Sequence, residues 1–261
     1  MLTLNQDLCI SCEKCVRVCP FTCLRLEDGY PEMLERKEKG CIKCMHCVIA
    51  CPTKAIGFED MPSEELGPME SPATSYESLK RLVKTRRSQR DFFEREVPRE
   101  DIREIIRDAD FTASAKNQHP QSWVVVHDQN VVKETMKLVL DWVSENKVSM
   151  EILSEWEQGN NIVTFDAPHL LIGCAPKQGM INPYTDTTIA LANIELLLFS
   201  KGIGSCWAGY LTRITNASQP IKELLGIGED MQIFGILGFG YPKSDDYLRL
   251  PYREESRIHW I

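Results

Sequence analysis

The chain writes one cysteine phrase twice within its first 52 residues. Cys9, Cys12, Cys15 and Cys19-Pro20 follow C-x2-C-x2-C-x3-C-P. Cys41, Cys44, Cys47 and Cys51-Pro52 repeat it 32 residues later, counted from Cys9 to Cys41. Nine of the eleven cysteines lie between Cys9 and Cys51, and only Cys174 and Cys206 fall beyond. In a small secreted domain such density would read as a disulfide framework. The opening "MLTLNQDLCI" lacks a basic stretch followed by an apolar run, so no secretion signal is visible. The chain therefore reads as cytoplasmic, where thiols stay reduced, and metal binding becomes the better reading.

The spacing says which metal chemistry. Two-residue gaps let three thiolates of one tight loop reach three corners of a cubane. The x3 step carries the fourth thiolate into a following helical turn, away from that cluster. In the dicluster pattern this fourth cysteine ligates the other cluster. Cys9, Cys12, Cys15 and Cys51 are thus assigned to one [4Fe–4S] cluster, and Cys41, Cys44, Cys47 and Cys19 to a second. Zinc is the alternative, but its sites use two pairs of ligands, whereas each phrase here offers three evenly spaced cysteines plus a Cys-Pro. Residues 1 to 60 resemble a bacterial dicluster ferredoxin. Cys23 reads as a packing residue, since Cys19 already holds the Cys-Pro position, and His46 as a solvent-facing side chain inside the second loop.

The remaining chain is long enough for a second domain. Apolar residues make up 43% and charged residues 26%, an ordinary globular balance. The net charge of −8 argues against nucleic acid, whose phosphates need a basic face. The longest apolar run, near "IELLLF", is interrupted by Glu195 and too short to cross a bilayer. Residues 61–75 are rich in proline and acid and read as a linker. Beyond them Tyr76, Leu79, Leu82 and Val83 share a helix face, and Pro98 opens a helix carrying Ile102, Ile105, Ile106 and Ala109. A long helix is expected over about 130–157, and an apolar helix over "TDTTIALANIELLLFSKG", closed at Gly202. "SWVVVHD", "HLLIGCA" and "MQIFGILGFG" read as three strands. Helices with few strands and no regular βαβ alternation give an α+β domain over 76–261.

Three stretches carry possible chemistry. "TRRSQRDF", Thr85 to Phe92, gathers three arginines and a serine at a helix exit, a donor set able to fork onto a phosphate. Alone it fits a solvated basic face better. "TASAKNQHPQSW" is a polar loop with Asn117 placed to meet the edge of a heterocycle. "GIGSCWAGY" is a glycine-rich turn suited to close backbone approach to a flat ligand.

Taken with the tail "GYPKSDDYLRLPYRE", these stretches resemble the FMN-dependent nitroreductase family over roughly residues 76 to 261. The whole chain then resembles a ferredoxin–nitroreductase fusion. The resemblance implies FMN, an α+β fold and a homodimer with flavin at the subunit interface. It matches Arg86, Arg87, Ser88 and Arg90 to the first flavin motif, with Arg86 and Ser88 at the phosphate and ribityl chain and Arg90 near the pyrimidine edge. It matches Asn117 to the ring, Ala208 and Gly209 to backbone contacts above it, and Arg253 to a C-terminal phosphate contact. No side chain is named as catalytic, since FMN would carry the chemistry. The sequence departs from the family where His119 replaces a glutamine and Ala208 an acid, so acceptor preference is open. Cys174 and Cys206 read as packing residues.

No G-x-G-x-x-G sits at a strand-to-helix turn, so there is no dinucleotide fingerprint. The expected activity is an iron–sulfur flavoprotein oxidoreductase. It would take electrons from a low-potential donor (ferredoxin-like or NAD(P)H) and reduce a small planar electrophile such as a nitroaromatic, quinone or activated alkene. Alternatives are an electron-transfer module without its own small-molecule substrate, an NAD(P)H-dependent nitro or flavin reductase, and, ranked last, a redox sensor.

Overall fold

A computed structural model describes residues 2–61, 66–67, 74–243, 248–254 and 256–261. Most of the expected linker, 61–75, lies outside these residues. The chain forms two compact units, Met1–Ala73 with Lys116–Gln118, and Thr74–Ala115 with His119–Ile261.

The first unit repeats its backbone as it repeats its cysteines. Strand β1 (Leu2–Leu4) pairs antiparallel with β4 (Ile56–Phe58), and β2 (Leu24–Glu27) with β3 (Tyr30–Met33). The β2–β3 turn is Asp28-Gly29, both at positive φ, the geometry that suits the right-handed twist of a two-residue hairpin. Two single-turn helices, α1 (Lys14–Arg17) and α2 (His46–Ile49), are entered through left-handed residues, Glu13 at φ 62° and Met45 at φ 63°. Ser11 and Lys43, and likewise Thr22 and Lys54, are also left-handed. Each pair is separated by the cysteine spacing of 32 residues. Residues other than glycine rarely take this conformation. Alternating it with right-handed residues turns successive backbone N–H groups towards one concavity, an anion-holding arrangement. The apolar core is small: Cys15, Leu24 and Ile56, with Leu2, Val16, Met33, Cys47 and Cys51 packed on it. A unit of this size needs a staple beyond its core, and the cysteines are the groups available to provide one.

The second unit is built on a sheet of order β5 (Ser122–Val126), β6 (His169–Pro176), β8 (Met231–Gly240) and β7 (Gly204–Trp207), antiparallel throughout. One face packs on α5 (Gln129–Asn146), α8 (Gly209–Ala217) and α9 (Gln219–Leu224). The other packs on α4 (Arg99–Ala109) and α7 (Pro183–Ser200). Covered on both faces, β6 is apolar along its length rather than alternating. Helix α7 lies tight against the sheet because Gly173 and Gly235 give it room. A Cβ at either would stand 2.9 or 2.7 Å from Leu191 Cδ1.

Three expectations change. The helix expected over 130–157 is two, α5 and α6 (Glu151–Glu157), separated by left-handed Lys147 and Ser149. "GIGSCW" is not only a turn: Gly204–Trp207 is a fourth strand, paired to β8. Helix α3 (Tyr76–Thr85) forms, capped by the Ser75 hydroxyl, which accepts from Ser78 N at 3.2 Å, but it buries none of its residues. Among the described residues no helix is long and apolar enough to cross a membrane.

Candidate cluster sites and the arginine motif

Two small cavities in the first unit collect the repeated cysteines. One is lined by Cys9, Cys12, Cys15 and Cys51. The other is lined by Cys19, Cys41, Cys44 and Cys47, with Cys23 beside them. In each, three thiols come from one loop and the fourth from the Cys-Pro of the other phrase. None of the cysteines is in a disulfide. Among the described residues no group of three or more His, Cys, Asp or Glu side chains is close enough to hold a single metal ion.

Electrostatics points the same way. Burial raises the Cys15 thiol, and it pushes Cys47 up to about 12, against a hydrogen bond from Val48 N–H and with added repulsion from Cys41 and Cys44. Cys19 and Cys51 go the other way. Burial opposes them too, but donors at the helix exits outweigh it. Cys23 N–H reaches Cys19 Sγ at 3.2 Å, and Ala55 N–H reaches Cys51 Sγ at 3.2 Å with Thr53 Oγ1 at 3.6 Å. Four thiolates around one cavity repel unless a positively charged core sits among them, and thiolates are the ligands such a core takes. The residues present fit an iron–sulfur cluster in each cavity.

In the second unit, the arginine motif is fastened to the sheet rather than free on the surface. Ser88 bridges Ser205 of β7, Gln89 N donates to Ser205 O at 2.9 Å, and Phe93 N donates to Tyr241 O at 2.9 Å. Gly204 makes this approach possible, since a Cβ there would lie 2.6 Å from Gln89 Cγ. Arg86 follows the last turn of α3 and places Nη1 3.2 Å from Oε1 of Glu195, a carboxylate buried on α7. Arg87 donates back to the Arg86 carbonyl at 2.5 Å. The Arg90 guanidinium lies 5.2 Å from the Phe165 ring centre. The buried Cys206 thiol is raised by burial first; the Arg90 charge and a hydrogen bond with Ser88 oppose this, and Glu195 adds to it. Arg86, Ser88 and Arg90 thus share one neighbourhood with Glu195 and Cys206. Ala208 is buried, its N–H bonded to Ile236 O at 2.8 Å, and Gly209 begins α8 exposed, with no side-chain cap over that helix end.

Two expected residues are not gathered there. Arg253 is exposed and its Nη1 bonds the carbonyl of its neighbour Tyr252 at 3.2 Å. Asn117 is grouped with the first unit, where Nδ2 donates to Lys43 O at 3.3 Å. Glu195 and Cys206 were not expected at the motif. The signal for Glu195 was its place as an acid inside the apolar run "IELLLF" of α7, because a buried carboxylate needs a partner.

The nitroreductase family model matches residues 83–241, and that of the 4Fe-4S dicluster domain matches residues 8–56. A protein of Archaeoglobus fulgidus named "Putative NADH dehydrogenase/NAD(P)H nitroreductase" is 30% identical over 185 residues, covering 69% of this chain and 95% of that one. One of the same name from Methanothermobacter thermautotrophicus is 29% identical, covering 68% and 83%. In fold the second unit is similar to a nitroreductase with bound FMN from Bacteroides fragilis, with a TM-score of 0.62, 19% identity and coverage of 72% of this chain and all of that one. The chain belongs to the nitroreductase family, with a 4Fe-4S dicluster domain ahead of the nitroreductase domain.

Proposed function

We propose that this chain is an iron–sulfur flavin oxidoreductase in which two [4Fe–4S] clusters supply single electrons and FMN supplies hydride transfer to a small planar electrophile. One observation carries the proposal: a single chain holds two four-cysteine cavities and an arginine–serine motif locked onto the sheet of a nitroreductase domain. Cys9, Cys12, Cys15 and Cys51 would hold one cluster, and Cys41, Cys44, Cys47 and Cys19 the other. Arg86, Arg87 and Ser88 offer charge-assisted and hydroxyl donors suited to a phosphate dianion. Arg90 would face the flavin pyrimidine, with the backbone of Ala208 and Gly209 above the ring; the family resemblance adds Asn117 at the ring and Arg253 on the phosphate, whose side chains here bond Lys43 O and Tyr252 O instead.

The working unit we infer is a homodimer. Leu248, Tyr252, Trp260 and Ile261 leave large apolar surfaces exposed along the tail, and Tyr76, Leu79 and Val83 do so on α3. Apolar faces of this extent are ordinarily covered by association. Eleven unbridged thiols suit a reducing, cytoplasmic setting. We take residues 1–60 as the cluster domain, 61–75 as linker and 76–261 as the flavin domain. The name of the Archaeoglobus relative favours NAD(P)H as a second donor.

Anaerobically purified protein should contain about eight iron and eight sulfide per chain and one FMN. It should turn over nitroaromatic, quinone or activated-alkene acceptors when supplied with a low-potential donor. Stoichiometric flavin reduction without turnover on any acceptor would favour an electron-transfer module instead.

A further inference from the structure

The two halves of the first unit differ at one position that faces a cluster cavity. Cys19 and Cys51 stand 32 residues apart, and each is followed by a left-handed residue, Thr22 or Lys54. The next residue sends its backbone N–H onto the cysteine sulfur at 3.2 Å in both halves. In the first half that residue is Cys23; in the second it is Ala55. Both are buried, at 2% and 3% exposure. At matched backbone positions, then, one cavity receives a fifth thiol and the other a methyl group. Cys23 lines the cavity of Cys19, Cys41, Cys44 and Cys47, and its thiol is in hydrogen-bonding reach of Cys19. Packing alone would accept alanine here, as the other half demonstrates.

We propose that Cys23 is a reserve ligand of the second cluster, placed to bond the iron that Cys19 holds whenever Cys19 is lost. This rests on the crossed ligation proposed above. The exchange is simple in its balance. The iron–sulfur bond to Cys19 is absent, a bond to Cys23 Sγ takes its place, the thiol proton leaves to solvent, and no electron moves. The first cluster has no such reserve, because Ala55 occupies the matching place.

The test uses the full chain, reconstituted anaerobically with ferrous iron and sulfide, and reads iron content and electron paramagnetic resonance. Cys51→Ala should lose one iron and show a three-iron signal. Cys19→Ala should keep about eight irons and show no three-iron signal. The double variant Cys19→Ala/Cys23→Ala should lose one iron and show the three-iron signal, as Cys51→Ala does. If Cys19→Ala assembles poorly, the transplant Cys51→Ala/Ala55→Cys asks the same question without touching Cys19, and it should regain the four-iron centre. A three-iron signal in Cys19→Ala, or in the transplant, overturns the reserve-ligand proposal. The double variant separates that failure from a failure of crossed ligation. If the cluster it damages is the one damaged in Cys12→Ala rather than in Cys44→Ala, the ligand assignment itself is wrong.

Discussion

Replacing Arg86 separates the structural from the functional use of one guanidinium. Arg86 Nη1 sits 3.2 Å from Glu195 Oε1, with the Glu195 side chain 10% exposed and that of Arg86 27%. Removing one partner of a fully buried ion pair costs roughly 3–5 kcal/mol, because a buried charge is left alone. Arg86 keeps a quarter of its surface in water, so the figure is reduced here to about 2 kcal/mol. In a domain of this size that lowers the melting temperature of FMN-free Arg86→Ala by about 4–8 °C. Adding Glu195→Gln removes the stranded charge and should restore most of this stability. It cannot restore the donor to the flavin phosphate. The FMN dissociation constant should therefore stay raised in both variants by about 10- to 150-fold, the worth of a charge-assisted hydrogen bond. Thermal unfolding of the FMN-free proteins and flavin fluorescence titration read the two effects independently. If Arg86→Ala/Glu195→Gln recovers wild-type FMN affinity, Arg86 serves the fold alone and the phosphate site lies elsewhere.

Two further outcomes follow from the second unit. His169 is fully buried, accepting from Val97 N at 3.0 Å and donating to His127 O at 2.9 Å, and burial with the neighbouring His127 brings it down to about 4. Between about pH 4 and the ordinary histidine value near 6.5 the unfolded chain binds the extra proton, so stability should fall as pH is lowered through that window. Denaturant midpoints for His169→Gln should show a shallower fall, and an identical slope would refute this. Gly204→Ala puts a Cβ 2.6 Å from Gln89 Cγ. The overpacking should cost on the order of 1–3 kcal/mol and displace the arginine motif, so FMN binding should weaken; unchanged affinity would mean the motif is not held through β7.

The cysteine phrases were legible because ligand spacing is itself the constraint: three thiols in one loop and one from the other phrase follow from C-x2-C-x2-C-x3-C. The left-handed turns at Glu13 and Met45 were not, since nothing in their side chains favours positive φ and the surrounding loop imposes it. β7 was missed because a four-residue strand beginning at glycine has no period to read. The helix break after Asn146 was hidden because Lys147 and Ser149 are not glycines, though both adopt the left-handed conformation that stops α5. The apolar face of α3 was read correctly as a helix face, yet periodicity cannot say what covers it. Arg86 was singled out by its motif, but its partner Glu195, 109 residues away, was invisible as a pair.

The account's central claim is that the clusters feed the flavin. It is tested most directly by mixing reduced ferredoxin-type donor anaerobically with the FMN-loaded chain and following the flavin band near about 450 nm. The comparison is a chain lacking residues 1–60, whose second unit retains its own sheet and both of its apolar cores. The full chain should bleach rapidly, as expected for a donor tethered at high effective concentration. The shortened chain should bind FMN but lose this reduction, while keeping whatever reduction NAD(P)H supports. Equal bleaching rates in the two would contradict the claim and leave the iron–sulfur domain a structural staple.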